Sequence, residues 1–181
     1  MKKSIVLILA VISIALYSCK KEVSELPPAT QSGANTFGCK IDGQFWVPSG
    51  FGIVPTAPKL EASIAGTDLY LNARNFSTSP TESEFELFVK DIMEQGAGTY
   101  TLSSGPVYPD YTASYAYYVH RKYTPDNEWV TTSPYTGTVT ITKIDSVNHF
   151  VSGTFQFQAI NMYNDPKPIS VTEGRFDVKT E

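Results

Sequence analysis

From Thr36 to Lys179 the chain repeats one arrangement: a short run in which apolar and polar side chains alternate, then a break at Gly, Pro, Asn or Asp. Alternation with a period of two is the signature of strands that bury one face, and the breaks are turn residues. The runs are Thr36 to Ile41, Gln44 to Val47, Leu60 to Ile64, Asp68 to Asn75, Glu84 to Asp91, Thr99 to Ser103, Ser114 to Tyr123, Glu128 to Thr132, Gly137 to Asp145, Phe150 to Asn161 and Ile169 to Lys179. Asp42-Gly43 between the first two is the strongest two-residue hairpin signal in the chain, and it predicts that Cys39 faces Trp46 across the ladder. The least improbable helical turn is Ser79 to Glu84, and the Phe85-Leu87-Val89 alternation displaces it at once. About ten strands without intervening helices predict an all-β domain, an antiparallel β-sandwich, with a closed or partly closed β-barrel as the alternative.

The last two runs show their faces most clearly. In SGTFQFQAI, Phe155, Phe157 and Ala159 point one way while Thr154, Gln156 and Gln158 point the other. In EGRFDVK, Phe176 and Val178 are predicted inward, with Glu173, Arg175, Asp177 and Lys179 on a solvated outer face.

The N-terminus follows a different rule. Lys2 and Lys3 precede an apolar run from Ile5 to Leu16, which is too short to span a bilayer and has the layout of a secretion signal. Leu16-Tyr17-Ser18-Cys19 resembles the lipobox of bacterial lipoproteins. That resemblance implies cleavage before Cys19, acylation of its thiol and amine, and a lipid anchor in place of a membrane helix. Residues 1–18 are thus expected to be the signal peptide. The absence of Asp at position 20 implies, by the same resemblance, export to the outer membrane.

Residues 20 to 35, KKEVSELPPATQSGAN, lack an apolar period and read with Cys19 as a flexible tether, leaving 36–181 as a single domain. Of 181 residues, cleavage would leave 163, with 12 basic side chains against 18 acidic. A chain this acidic, with no basic cluster beyond Lys20-Lys21 and Arg121-Lys122, has no electrostatic footprint for nucleic acid.

Three blocks, TFGCKIDGQFWVP, GTYTL and GTVTITKID continuing through VSGTFQFQAIN to VTEGRFDV, resemble a family of small Gram-negative lipoproteins catalogued as a domain of unknown function. The resemblance implies a secreted, lipid-anchored, all-β domain and brings no activity, cofactor or catalytic residue.

Candidate chemistry is sparse. Cys39 has no intramolecular partner once Cys19 is acylated, and reads as a buried thiol. His120 and His149 do not form a metal spacing, and no G-x-S-x-G is present. Glu82, Glu84 and Glu86 alternate along one edge and could supply a glycosidase pair, the basis of a third-ranked hydrolase reading. In NMYNDPKP, Asn161, Asn164 and Asp165 are oxygen donors of the kind calcium takes, and equally ordinary turn residues. Asp145-Ser146-Val147 resembles a periplasmic O-glycosylation acceptor and marks Ser146. No catalytic residue, metal or cofactor is assigned.

The aromatic stretch 103–123 holds six of the 11 tyrosines, with Trp129 close behind. Alternation puts Tyr115, Tyr117 and Val119 on one side, and Tyr118 and His120 on the other. One set is expected in the core. The other, Tyr118 joined by Tyr108, Tyr111 and Trp129, is expected to form a stacking platform for a glycan or peptide. The expectation is a non-enzymatic ligand-binding lipoprotein of the outer membrane, with an accessory subunit of an envelope protein complex as the alternative.

Overall fold

The computed structural model describes residues 23–50, 58–77, 82–105, 111–121, 127–163 and 167–181. Eleven strands follow one another: β1 (Thr36–Ile41), β2 (Gln44–Trp46), β3 (Leu60–Ala65), β4 (Asp68–Asn75), β5 (Ser83–Val89), β6 (Gly98–Leu102), β7 (Tyr115–His120), β8 (Glu128–Val130), β9 (Gly137–Asp145), β10 (Phe150–Asn161) and β11 (Ile169–Lys179). A single helical turn, α1 (Ile92–Gln95), sits between β5 and β6. Of the helical turn expected over 79–84, residues 79–81 lie outside the described residues, and β5 already begins at Ser83.

Every ladder between these strands is antiparallel. One layer runs β2-β1-β11-β10-β9-β6, the other β8-β7-β5-β4-β3. The link is β10. Its residues 150 to 157 pair with β9, and Ile160 and Asn161 pair with β8, so one strand turns the corner between the layers. The curled sheet nearly meets itself. Ser49 forms a parallel bridge with Asn75, and the N–H of Glu181 donates to the carbonyl of Ala62 at 3.2 Å. The result is a half-barrel, within the expected range from sandwich to partial barrel.

The two-residue turn at Asp42-Gly43 closes the first hairpin, with both residues at positive φ. It sets Cys39 opposite Trp46, as the turn chemistry predicted. Inward residues from both layers meet in an aromatic core centred on Phe85. Its ring lies 4.7 Å from Trp46, 5.7 Å from Phe37, 4.7 Å from Tyr118 and 6.2 Å from Phe157, centroid to centroid. Edge and tilted contacts of this kind add to the hydrophobic burial.

The middle of β10 and, Asp177 apart, the end of β11 follow the predicted alternation, while Phe150 and Ser152 at the start of β10 are buried as well. Phe155, Phe157, Phe176 and Val178 are buried, while Thr154, Gln156 and Gln158 are exposed. Asp177 corrects the expectation of a uniformly solvated outer face: only 1% of it is accessible. The cause is non-local. Residues 30–34, part of the segment expected to be a flexible tether, cross the outer face of this layer over Asp177. Thr30 Oγ1 and the N–H groups of Ser32, Gly33 and Ala34 all donate to the Asp177 carboxylate at 2.6 to 3.0 Å. Lys143 Nζ donates to the carbonyl of Gln31 at 3.3 Å. This part of the segment is a strap bound to the sheet.

Candidate functional site

The aromatic residues do not assemble into one surface. Strand alternation divides them as predicted, but both sides of β7 carry buried rings. Tyr118 points into the core against Phe85 and Trp129, with centroid separations of 4.7 and 5.7 Å. Its hydroxyl is pushed up to about 12, first by burial. Tyr111 lies on the opposite face, 5.3 Å from Phe88, 5.8 Å from Tyr115 and 6.1 Å from Tyr70. There the four rings form a second small apolar layer outside the sheet, burying Phe88 and Tyr115 completely. Burial, and then the hydrogen bond its hydroxyl donates to Glu86, push the Tyr115 phenol above its ordinary range. Trp129 is half-buried, and its indole N–H donates to the carbonyl of Lys167 at 3.3 Å. Tyr108 lies outside the described residues. A single platform containing Tyr111, Tyr118 and Trp129 is therefore corrected: the sheet separates the first from the other two.

The other sequence candidates are also located. Glu84 is held by Arg74 and Arg121, each at 2.9 Å, and Glu82 lies 3.9 Å from Arg121. With Glu86 bonded to Tyr115, these carboxylates serve a charged outer face of the second layer. Asn161 is buried and accepts the N–H of Tyr163 at 2.8 Å, holding the turn after β10; Asn164 and Asp165 lie outside the described residues. Cys39 is completely buried, which pushes its thiol far above the usual range. Cys19 also falls outside the described residues. Among the described residues no three of His, Cys, Asp and Glu gather as a metal site. Ser146 is exposed in the β9–β10 turn, where Asp145 Oδ1 accepts the N–H groups of Val147 and Asn148 at 3.2 and 2.9 Å.

Three concave regions stand out among the described residues. A cleft of about 480 Å³ lies where Leu26 and Pro27, just before the strap, approach Phe37, Val47, Pro48 and Leu60. Two smaller grooves, about 380 and 420 Å³, adjoin on the outer face of the first layer, sharing Thr138 and Gln156. Their residues come from a pattern whose meaning sequence reasoning missed: G-T-x-T or G-T-x-Q occurs at Gly98, Gly137 and Gly153, on three strands that prove to be neighbours. The ladders pair Thr101 with Thr138 and Thr138 with Gln156; one step along, Thr99 pairs with Thr140 and Thr140 with Thr154. The result is two cross-strand rows of hydroxyl and amide side chains. The repeated motif was the available signal, but adjacency and register belong to the tertiary structure.

A bulge shapes the floor beside these rows. Phe155 pairs with Gly174 and Phe157 with Val171, so β11 has an extra residue opposite Gln156, with Glu173 at φ 53°. Gly137 matters for close approach: a Cβ there would lie 2.2 Å from that of Phe157 and 2.4 Å from the carbonyl oxygen of Gln156.

The protein is thus defined by its fold as an all-β half-barrel domain with a polar, grooved outer face. Residues 34–178 match the model of a family described as a domain of unknown function, DUF6252, and the chain belongs to that family. No curated protein and no solved structure matches it.

Proposed function

We propose that this protein is a lipid-anchored component of the bacterial outer membrane whose β-domain binds a glycan or peptide ligand without transforming it. The anchor rests on Lys2-Lys3, the following apolar run and Leu16-Tyr17-Ser18-Cys19. The observation that carries the binding role is the grooved outer face of the first layer, where polar side chains stand uncovered although the strap shields neighbouring Asp177. A thermal-shift screen of the full-length protein in detergent against oligosaccharides, peptides and divalent cations tests it. A ligand at 100 times its Kd adds about 2.7 kcal/mol, a readily visible shift. Silence across the screen would refute the binding role. The anchor has its own test: palmitate labelling is expected in the native chain and absent from Cys19→Ser.

The alternative, an accessory subunit of an envelope protein complex, draws on the exposed apolar side chains of Phe45, Met93, Met162 and Tyr163. Such residues are common singly on any surface. A stoichiometric protein partner recovered from detergent-solubilised membranes would favour this reading.

A further inference from the structure

We propose that the two rows Thr101-Thr138-Gln156 and Thr99-Thr140-Thr154, with Thr172 beside them, form the binding surface for an uncharged, hydroxyl-rich oligosaccharide. This rests on the ligand-binding reading above and gives it a site and a ligand class.

The chemistry of the rows carries the choice. Threonine hydroxyls and glutamine amides each both donate and accept hydrogen bonds, as sugar hydroxyls do. Thr99 and Thr140 bond to each other at 2.9 Å. Thr101, Thr138, Gln156 and Thr172 have no side-chain hydrogen bond to other described residues, so their bonding capacity faces outward. Successive strands stand about 4.8 Å apart and alternate residues along a strand about 6.7 Å apart, so the rows present a regular grid of polar groups. The sheet backbone and its packed core hold that grid in place before any ligand arrives, which lowers the ordering cost of binding.

Charge narrows the ligand class. The groove between Thr101 and Thr172 is lined without a single ionisable side chain, although the protein carries 32 acidic and basic residues in all. The corresponding face of the second layer is crowded with Glu61, Arg74, Glu84 and Arg121, joined by ion pairs of 2.7 to 2.9 Å. The adjoining groove, which holds Thr140 and Thr154, is lined also by Glu173 and Arg175, but Glu173 is engaged by Lys40 at 2.7 Å and lies 3.9 Å from Arg175, so these charges are matched. An acidic glycan would find no free cation within the groove. A neutral one needs none.

The position within the sheet argues against a peptide. Extended peptides bind sheets chiefly at an edge, where unpaired backbone groups continue the ladder. Here β9 and β10 are paired on both sides, so Thr138, Thr140, Thr154 and Gln156 offer side chains alone; β6, which carries Thr99 and Thr101, pairs only with β9 among the described strands.

The test uses the full-length protein in detergent on an array of neutral hexose and N-acetylhexosamine oligosaccharides, acidic oligosaccharides and short peptides. Binding is expected on neutral sugars. It should weaken about tenfold in Thr138→Asp and in Gln156→Glu. Thr101→Val and Thr138→Val keep the branched shape while removing the hydroxyl, so they should weaken binding without lowering the melting temperature. Neutral-sugar binding that survives all four changes would overturn the site yet leave the ligand-binding role standing. Binding confined to peptides or acidic sugars would overturn the ligand class. No binding to any probe would remove both.

Discussion

The hydroxyl of Ser152 donates to Oδ1 of Asp177 at 2.7 Å beneath the strap, joining β10 to the one carboxylate that also holds residues 30–34. Five donors converge on two oxygens. Burial alone would raise this carboxyl's pKa; the hydroxyls of Thr30 and Ser152 and the strap's N–H groups overcome that and hold it well below the usual carboxylate range.

Acid should therefore loosen the strap. Because the folded value is depressed, the stabilisation is fully present above about pH 5. It begins to fall as the unfolded carboxyl takes up protons near pH 4, and is lost as the pH drops through the folded value. Asp177→Asn is expected to cost about 3 kcal/mol at neutral pH, through the loss of charge-assisted hydrogen bonds. Denaturation followed between about pH 7 and pH 3 should show the gap between native chain and variant narrowing with acidity. A constant gap would contradict this role of the carboxylate.

Cys39 should be chemically silent in the native state. Its complete burial disfavours the thiolate, the species that attacks a disulfide reagent. With Cys19 acylated, thiol titration should find none in the folded protein and one after denaturation. Two thiols after denaturation would argue against acylation at Cys19.

Phe85 should be among the costliest core positions. It is 2% exposed and touches the rings of Phe37, Trp46, Tyr118, Phe155 and Phe157. Phe85→Ala is expected to lose about 4 kcal/mol in chemical denaturation, from both transfer and cavity terms. A loss below about 1 kcal/mol would mean that the core collapses around the gap.

Gly137→Ala tests the close approach at the groove floor. The added methyl would meet backbone as well as the Phe157 side chain, so the strands must separate. A loss of about 1 to 3 kcal/mol is expected. Gly43→Ala supplies the comparison: its added methyl meets nothing within 4 Å, but its φ of 82° penalises any side chain. Equal stability of the Gly137→Ala variant and the native chain would show that β9 can move away freely.

Much of the fold was legible because its signals are local. The Asp42-Gly43 turn, the period of Phe155-Phe157-Ala159 and the punctuation between runs each depend on a few consecutive residues, and the strands lie close to their expected bounds. The short helical turn at Ile92 was not foreseen; it is only four residues long and is tied to the β3–β4 turn by the Met93 N–H donating to the carbonyl of Thr67 at 3.1 Å.

Alternation in the sequence alone determined which side chains share a face, since successive residues of a strand must point to opposite sides. It could not determine what covers that face. The strap that buries Asp177, the separation of Tyr111 from Tyr118 by the sheet, and the alignment of three G-T-x-T/Q segments into rows all join residues far apart along the chain. Those contacts depend on strand order and register, and these were decided only when the curled sheet closed around its aromatic core.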